Sequence, residues 1–440
     1  MTTLQRAAWA EHCKQPKRFM RSATSISRYL VAVLAWLSVF VPYLGRAVPF
    51  PWASEVPSGR AASVILLSCS IAIGITTGAS LRSIGWTRCL LLISWPGAAV
   101  LGALFHIRDG EVGPAATRVL WCTGQAVVSS WWLLSLRTHC LRPLGPLGVS
   151  LAICAGLGLA VLALNPDVYL RPGWANTSLY LDAKIASRIS LSLLFGLLAG
   201  WALTWLPRHP LATTLVLIVM SLGMVACLQR WLLFAVPLVM LLCLRRQLRS
   251  AVPILIGLGL TTLFAIANQL PIDSDNFLTY LQDFTDRQSG LVSRMTLAQD
   301  ALAQFLQHPI GGVGLDHWED GMWPHNFAIQ SLSDLGFFAG LSSLLLLGLC
   351  CMTVWRGASD DQHRFPIAVV AIMAWLFSLK SGDLTAISLL LPLSLMSSMA
   401  REPSSHSRGR SSLRANVDAA LRHHRAAVPC ASPLLSNRIP

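Results

Sequence analysis

Charge is scarce in this chain. Of its 440 residues only 12% are Asp, Glu, Lys or Arg, about half of the roughly 25% found in soluble globular domains. So few charges cannot clothe a water-facing surface, and a soluble globular protein is excluded. Paired cysteines are missing too. The eleven Cys include no Cys-x-x-Cys, so neither a disulfide framework nor a zinc site is indicated. There is no internal repeat, which removes solenoids and leaves no sign of the related halves that many transporters carry.

What the chain has is apolar length. Its hydrophobic content is 54%, gathered into runs of about twenty residues, the length that crosses a bilayer as a helix. Spans are expected near 29–44, 62–81, 89–105, 118–136, 147–164, 189–206, 211–229, 231–244, 252–270, 327–355, 366–379 and 384–400. The fold class expected is therefore an all-α polytopic membrane protein with about 12 transmembrane helices and both ends on one side. The first run reads as an uncleaved helix rather than a signal peptide, because more spans follow it.

The net charge of +14 then has a simple use. With the N-terminus cytoplasmic, inside segments hold 23 of the 34 Lys and Arg: six before the first span, seven after Ala400, and clusters such as Arg245, Arg246 and Arg249. Outside segments hold 11. That asymmetry orients a membrane protein, and nucleic acid need not be invoked. Under this topology no cysteine falls in an outside loop. The organisation expected is a basic cytoplasmic N-terminus (1–28), an N-terminal transmembrane bundle (29–229), a core (230–355) containing a long outside loop (271–325), two last transmembrane helices (356–400), and a basic, disordered cytoplasmic tail (401–440).

The long loop carries the polar chemistry. Pro271 to Pro324 holds eight of the twenty acids. Within it, LVSRMTLAQDALAQFLQ (291–307) puts Met295, Ala298, Leu302 and Phe305 on one helical face, as expected of an amphipathic helix lying on the outer membrane surface. HPIGGVG (308–314) then reads as a turn, with proline ending the helix and glycines allowing tight geometry. A long loop with structure of its own is usually functional.

Few charged or titratable residues stand where the membrane should exclude them. Arg230, between two closely linked spans on the outer side, is either a snorkelling arginine or an anion site, since a guanidinium stays charged and grips phosphate oxygens bidentately. Arg287 and Arg294 flank the start of the amphipathic helix, and Lys380 sits in the expected outer turn LKSGD; a solvated contact is the simpler reading of each. His325-Asn326 opens the tenth span after Pro324. Asn suits an N-cap, a helix N-terminus favours a nearby anion, and a histidine there titrates in the range of a general base. Asp334 lies nine residues on, about 13 Å deeper along a straight helix. It must face the protein interior or be protonated. Gln330 is one turn above it, and Gly336 with Gly340 reads as a small-xxx-small seam for another helix. His308, Asp316, His317 and His325 are metal-ligand types, yet their spacing matches no strong template.

These residues resemble a known family. HNFAIQSLSDLGFFAG (325–340) is similar to the O-antigen ligase motif: His-Asn, nine residues, Gly, two residues, then Gly, Thr or Tyr. Ala339 holds that last position here and Gly340 comes one residue late. Upstream, the arginine, the amphipathic helix, His308-Pro309 and GGVG resemble the run preceding the motif. Arg230 looks like the family's Ser-Arg element, with Gln229 in place of the serine. The resemblance covers Arg230 to Gly340, and polysaccharide polymerases carry the same ligase-like domain.

The resemblance implies a C-type helical glycosyltransferase architecture in the bacterial inner membrane, with its active site on the periplasmic face. It implies inverting glycan transfer without metal or cofactor. The donor would be a glycan on undecaprenyl diphosphate. The acceptor would be a sugar hydroxyl, on lipid A-core for a ligase or on another lipid-linked glycan for an O-antigen or exopolysaccharide polymerase. His325 would be the catalytic base and Arg230 and Arg294 the diphosphate-binding cations. Asn326, Arg287, His308, Lys380 and Asp334 are the supporting candidates. A lipid-linked glycan transporter is the reading from another class.

Overall fold

The computed structural model describes residues 26–44, 58–77, 86–105, 113–136, 145–164, 181–205, 209–227, 295–315, 324, 326–356, 364–381 and 383–398. Among the described residues every regular element is helical. In chain order these are α1 (Ile26–Leu44), α2 (Ser58–Thr76), α3 (Trp86–Phe105), α4 (Pro114–Ser135), α5 (Pro146–Leu164), α6 (Leu181–Leu203) and α7 (Pro210–Ala226). Then come α8 (295–307), α9 (Phe327–Leu335), α10 (Phe337–Arg356) and α11 (Arg364–Ser381). A 3-10 turn at Leu384–Ala386 leads into α12 (Ile387–Ser397). The expected spans 231–244 and 252–270 lie outside the described residues, as do the N-terminal 25 residues and the tail.

The burial pattern says what surrounds the bundle. On α2 the buried positions are Ser63, Leu67, Ser70 and Gly74, spaced by three and four, while Val64, Ile65 and Ile75 are exposed. A helix in water does the reverse, turning its apolar stripe inward. Here serines face the core and branched hydrocarbons face out. The exposed faces of α3, α5, α7 and α10 are likewise apolar, and include Ile93, Leu101, Leu157, Leu215 and Leu344. Exposed apolar surface on this scale marks a membrane. Three helices, α1, α5 and α10, are long and apolar enough to cross one, and six shorter apolar helices accompany them among the described residues. The chain is a helical membrane protein.

Since lipid tails are as apolar as leucine, the hydrophobic effect does not drive these helices together. Close packing and interhelical hydrogen bonds do. Gln125 Nε2 donates to the Ser38 carbonyl at 3.1 Å and to Ser63 Oγ at 2.6 Å, and Ser63 Oγ donates to that same carbonyl. Two turns further along, Trp132 Nε1 donates to Ser70 Oγ at 2.8 Å, and Ser70 Oγ to the Val31 carbonyl at 2.7 Å. These two levels fix directions: α1 runs antiparallel to both α2 and α4, which run parallel to each other.

At the centre lies α12, every residue of which is buried. Its sequence is apolar but for Ser388, Ser394 and Ser397, as a helix enclosed by others should largely be. It packs on α4, α10 and α11, with α3 beside them. Trp375 of α11 donates its indole N–H to Ser394 of α12 at 3.0 Å. The α9–α10 pair is held between α3 and α11.

The tenth expected span departs from expectation. It is not one helix over 327–355 but two, parted at Gly336, whose φ of 79° and ψ of −169° no helix contains. Gly336 and Gly340 therefore do not form the expected helix–helix seam. A Cβ on Gly340 would strike Leu332 Cγ at 2.5 Å, within α9 itself, and one on Gly336 would strike the Ile310 carbonyl carbon at 2.6 Å. Lys380 also differs: its backbone belongs to α11 rather than to a turn, because the helix runs on to Ser381.

Packing at glycine gives a direct test. A Cβ on Gly148 would lie 2.9 Å from Trp201 Cη2, whereas one on Gly124 meets nothing within 4 Å. Gly148→Leu should cost about 1–3 kcal/mol by overpacking, and Gly124→Leu should cost nothing measurable. Thermal melts in detergent followed by size-exclusion chromatography will show it, and equal melting of the two variants would contradict the α5–α6 packing.

Candidate functional site

Asn326 stands at the start of α9, and the residues that follow it are tightly anchored. Asn326 is extended (φ −137°, ψ 110°), and its Oδ1 accepts from the backbone N–H of Ala328 and of Ile329, both at 3.1 Å. That is the N-cap the residue type favours. Immediately after it, Phe327 is wholly buried. Its ring stacks on Trp95 of α3, with centroids 5.5 Å apart, and meets Trp375 of α11 edge-on at the same separation. Such aromatic pairs contribute about 0.5–1.5 kcal/mol beyond the area they bury. Trp95 Nε1 also donates to Ser331 Oγ at 3.3 Å, and Ser331 Oγ to the Phe327 carbonyl at 2.7 Å. Pro324, just upstream, is buried.

A polar stripe runs inward from this end. Asn326, Gln330 and Asp334 follow at intervals of four. Asp334 is fully buried. Its Oδ2 accepts from Gln330 Nε2 at 3.0 Å and its Oδ1 from Ser333 Oγ at 2.6 Å. The sequence placed this carboxyl in the protein interior, and the structure does so. Two donors stabilise a carboxylate that would otherwise be costly to bury. Gln330 Oε1 is buried without a hydrogen-bond partner among the described residues, an acceptor left open one turn from the N-cap.

The far end of α9 meets the glycine-rich loop. A helix terminus leaves carbonyls unbonded, and in an apolar setting each must find a donor. Gly336 N–H takes the Leu332 carbonyl at 3.0 Å, Val313 N–H the Ser333 carbonyl at 2.8 Å, and Gly314 N–H the Asp334 carbonyl at 3.1 Å. Reciprocally, Phe337 N–H, at the start of α10, donates to the Pro309 carbonyl at 2.7 Å. The loop after α8 thus caps both halves of the broken span. His308 is exposed at the end of α8, with its carbonyl accepting from Gly312 N–H at 3.0 Å.

Of the candidates, the structure joins Asp334 to the His308 loop through backbone bonds and sets Asn326 at the other end of the same helix. Arg230, Arg287, Arg294 and His325 lie outside the described residues, as does the side chain of Lys380. Arg294 directly precedes Met295, the first described residue of α8, and His325 directly precedes the N-cap. On Asp383, Oδ1 accepts from Thr385 N–H at 3.0 Å and from Thr385 Oγ1, which caps the 3-10 turn packed beside α9. Among the described residues no three of His, Cys, Asp or Glu are placed to hold a metal ion. Sequence reasoning missed the aromatic bracket of Trp95 and Trp375, which no local pattern announces. It also missed the loop-to-break contact, for which paired glycines at 311–314 and 336 were the available signal.

The cap and the buried carboxyl should separate cleanly by mutation. Asn326→Ala should cost about 0.5–2 kcal/mol of stability and Asn326→Asp much less. Asp334→Leu should cost more, because Gln330 Nε2 would be left unpaired at about 1–3 kcal/mol and Ser333 Oγ would keep only its longer bond to the Gln330 carbonyl at 3.3 Å. Thermal melts of the three variants will rank them, and an Asp334→Leu protein as stable as wild type would contradict the network. No family model matches this chain, and no curated protein or solved structure matches it.

Proposed function

We propose that this chain transfers a glycan from undecaprenyl diphosphate to a sugar hydroxyl at the periplasmic face of the bacterial inner membrane, as an O-antigen ligase does. The observation that supports it most is spatial. The two sequence segments that carry the ligase resemblance, HPIGGVG and HNFAIQSLSDLG, are far from random neighbours: they are bonded backbone to backbone at Val313, Gly314, Ser333 and Asp334. On this reading the twelve spans and the cytoplasmic termini inferred from charge bring the start of α9 to the outer face.

The chemistry asked of the residues is modest. The acceptor oxygen attacks the anomeric carbon as the bond from that carbon to the diphosphate oxygen breaks. The bonding pair leaves with undecaprenyl diphosphate, and inversion follows from attack opposite the leaving group. His325 takes the hydroxyl proton, a step worth roughly 10²–10⁴-fold. Arg230 and Arg294, with the N-terminal end of α9, stabilise the growing negative charge on the diphosphate. No metal is required in this scheme, since arginine and helix N–H groups supply the positive field. The apolar outer faces of the bundle suit a polyprenyl tail.

A second reading has one observation in its favour. Broken helices with a buried acid are also a habit of transporters, so a lipid-linked glycan transporter would use Asp334 and ignore His325. Complementing a deletion strain with wild type or His325→Ala and running surface-glycan gels separates these. The expected result is collapse of the lipopolysaccharide ladder to bare core, with lipid-linked glycan accumulating. Core plus one repeat unit would make the protein a polymerase, and an intact ladder with exopolysaccharide lost would make it an exopolysaccharide polymerase. Full rescue by His325→Ala, with failure of Asp334→Ala, would overturn transfer in favour of transport.

A further inference from the structure

The contact between the loop and the helix break is closer than capping alone requires. Gly312 has φ +70° and Gly336 φ +79°. With ψ at −169°, Gly336 occupies a region that is essentially closed to residues with a Cβ. Each glycine faces the backbone of the other segment. A Cβ on Gly312 would lie 2.6 Å from the Leu335 nitrogen, and one on Gly336 would lie 3.0 Å from the Gly312 nitrogen and closer still to the Ile310 carbonyl. Neither side has room for any side chain. Asp334 connects this contact to the interior: its backbone carbonyl receives Gly314 N–H while its carboxylate receives Gln330 and Ser333.

We propose that Gly312, Gly336 and Asp334 are positioning residues, which hold a backbone clamp fixing α8 against α9. This rests on the transfer reading above. Each helix is led by a residue that reading uses: Arg294 ahead of α8 and His325 ahead of α9. The clamp grips α8 at its C-terminal end, so the helix is a lever. Thirteen residues make it roughly 20 Å long, and a tilt of about 5° at the clamp moves the far end by nearly 2 Å. Misplacement by about 1 Å can lower a rate about 100-fold. Within α8 Ala301 is the one buried residue, while Met295, Leu302 and Leu306 are exposed. The glycines are thus required by the spacing of the site as well as by the turn.

The test uses full-length protein in lipid nanodiscs, with bio-orthogonally attached spin labels at the exposed positions Ala303 on α8 and Leu344 on α10. In parallel, transfer is measured with undecaprenyl-diphosphate-linked glycan as donor and lipid A-core as acceptor. In wild type the interlabel distance distribution is expected to be narrow. Gly336→Ala and Gly312→Ala should broaden or shift it and lower kcat about 10–100-fold, with donor KM within about 3-fold of wild type. Asp334→Asn keeps the shape and the backbone carbonyl, so it serves if the glycine variants do not fold. It should broaden the distribution less and lower kcat about 10-fold. An unchanged distribution in folded Gly336→Ala or Asp334→Asn protein would overturn the clamp, and a broadened one with full kcat would overturn its positioning role. Should wild type transfer nothing, the transfer reading fails by itself, and the label distances still decide whether the clamp holds.

Discussion

In a hydrocarbon environment every backbone N–H and C=O must find its partner inside the protein. An unbroken helix meets that demand by itself; a broken one cannot. The interruption at Gly336 takes the carbonyls of Ser333 and Asp334 and the N–H of Phe337 out of the helical pattern, and all three are recovered by the segment Pro309–Gly314, while Leu332 keeps its bond from Gly336 N–H. Everything distinctive about the region follows from that constraint. The loop has to lie against the break, so both must shed their side chains at the point of contact. That is why a glycine stands on each side of the contact, and why the loop after α8, with His308 exposed at its start, lies on the helix break.

The same constraint explains the polar interior of the bundle. Ser38, Ser63, Ser70, Gln125 and Trp132 bond across helices because nothing outside could satisfy them, and Val64, Ile65 and Ile75 face outward because nothing outside repels them. Such bonds average about 0.6 kcal/mol each, so the bundle is held by many small terms and by close packing at glycine. The α9 end is different. There Phe327 is gripped by two indoles and Asn326 by its own helix, which makes the start of α9 a fixed point rather than a mobile mouth. Fixed points of this kind are where a reaction that depends on placement is best built.

Much of this was legible before the structure. Hydropathy located most of the described helices to within about five residues, because length and apolarity are local properties; α6 begins at Leu181, eight residues before the expected start at 189. Asn326 as N-cap and Asp334 as an interior carboxyl followed from residue type and depth. The amphipathic run at 291–307 is a helix over 295–307. What escaped was anything depending on a contact between distant segments. The 327–355 run is hydrophobic throughout, so hydropathy read it as one span, and Gly336 looked like a packing residue because its φ is set by Ile310 and Gly312 rather than by its neighbours in sequence. Lys380 was assigned to a turn on the strength of Ser381, Gly382 and Asp383, although the helix persists through Ser381.

The account stands or falls on where the leaving group goes. Purified protein in nanodiscs, given undecaprenyl-diphosphate-linked glycan with and without lipid A-core, should be assayed for free undecaprenyl diphosphate. Transfer by the chemistry proposed predicts stoichiometric release that requires both the acceptor and His325, with glycosylated core as the matching product. Release that persists undiminished in His325→Ala protein, or none at all while labelled donor crosses the bilayer, would contradict it.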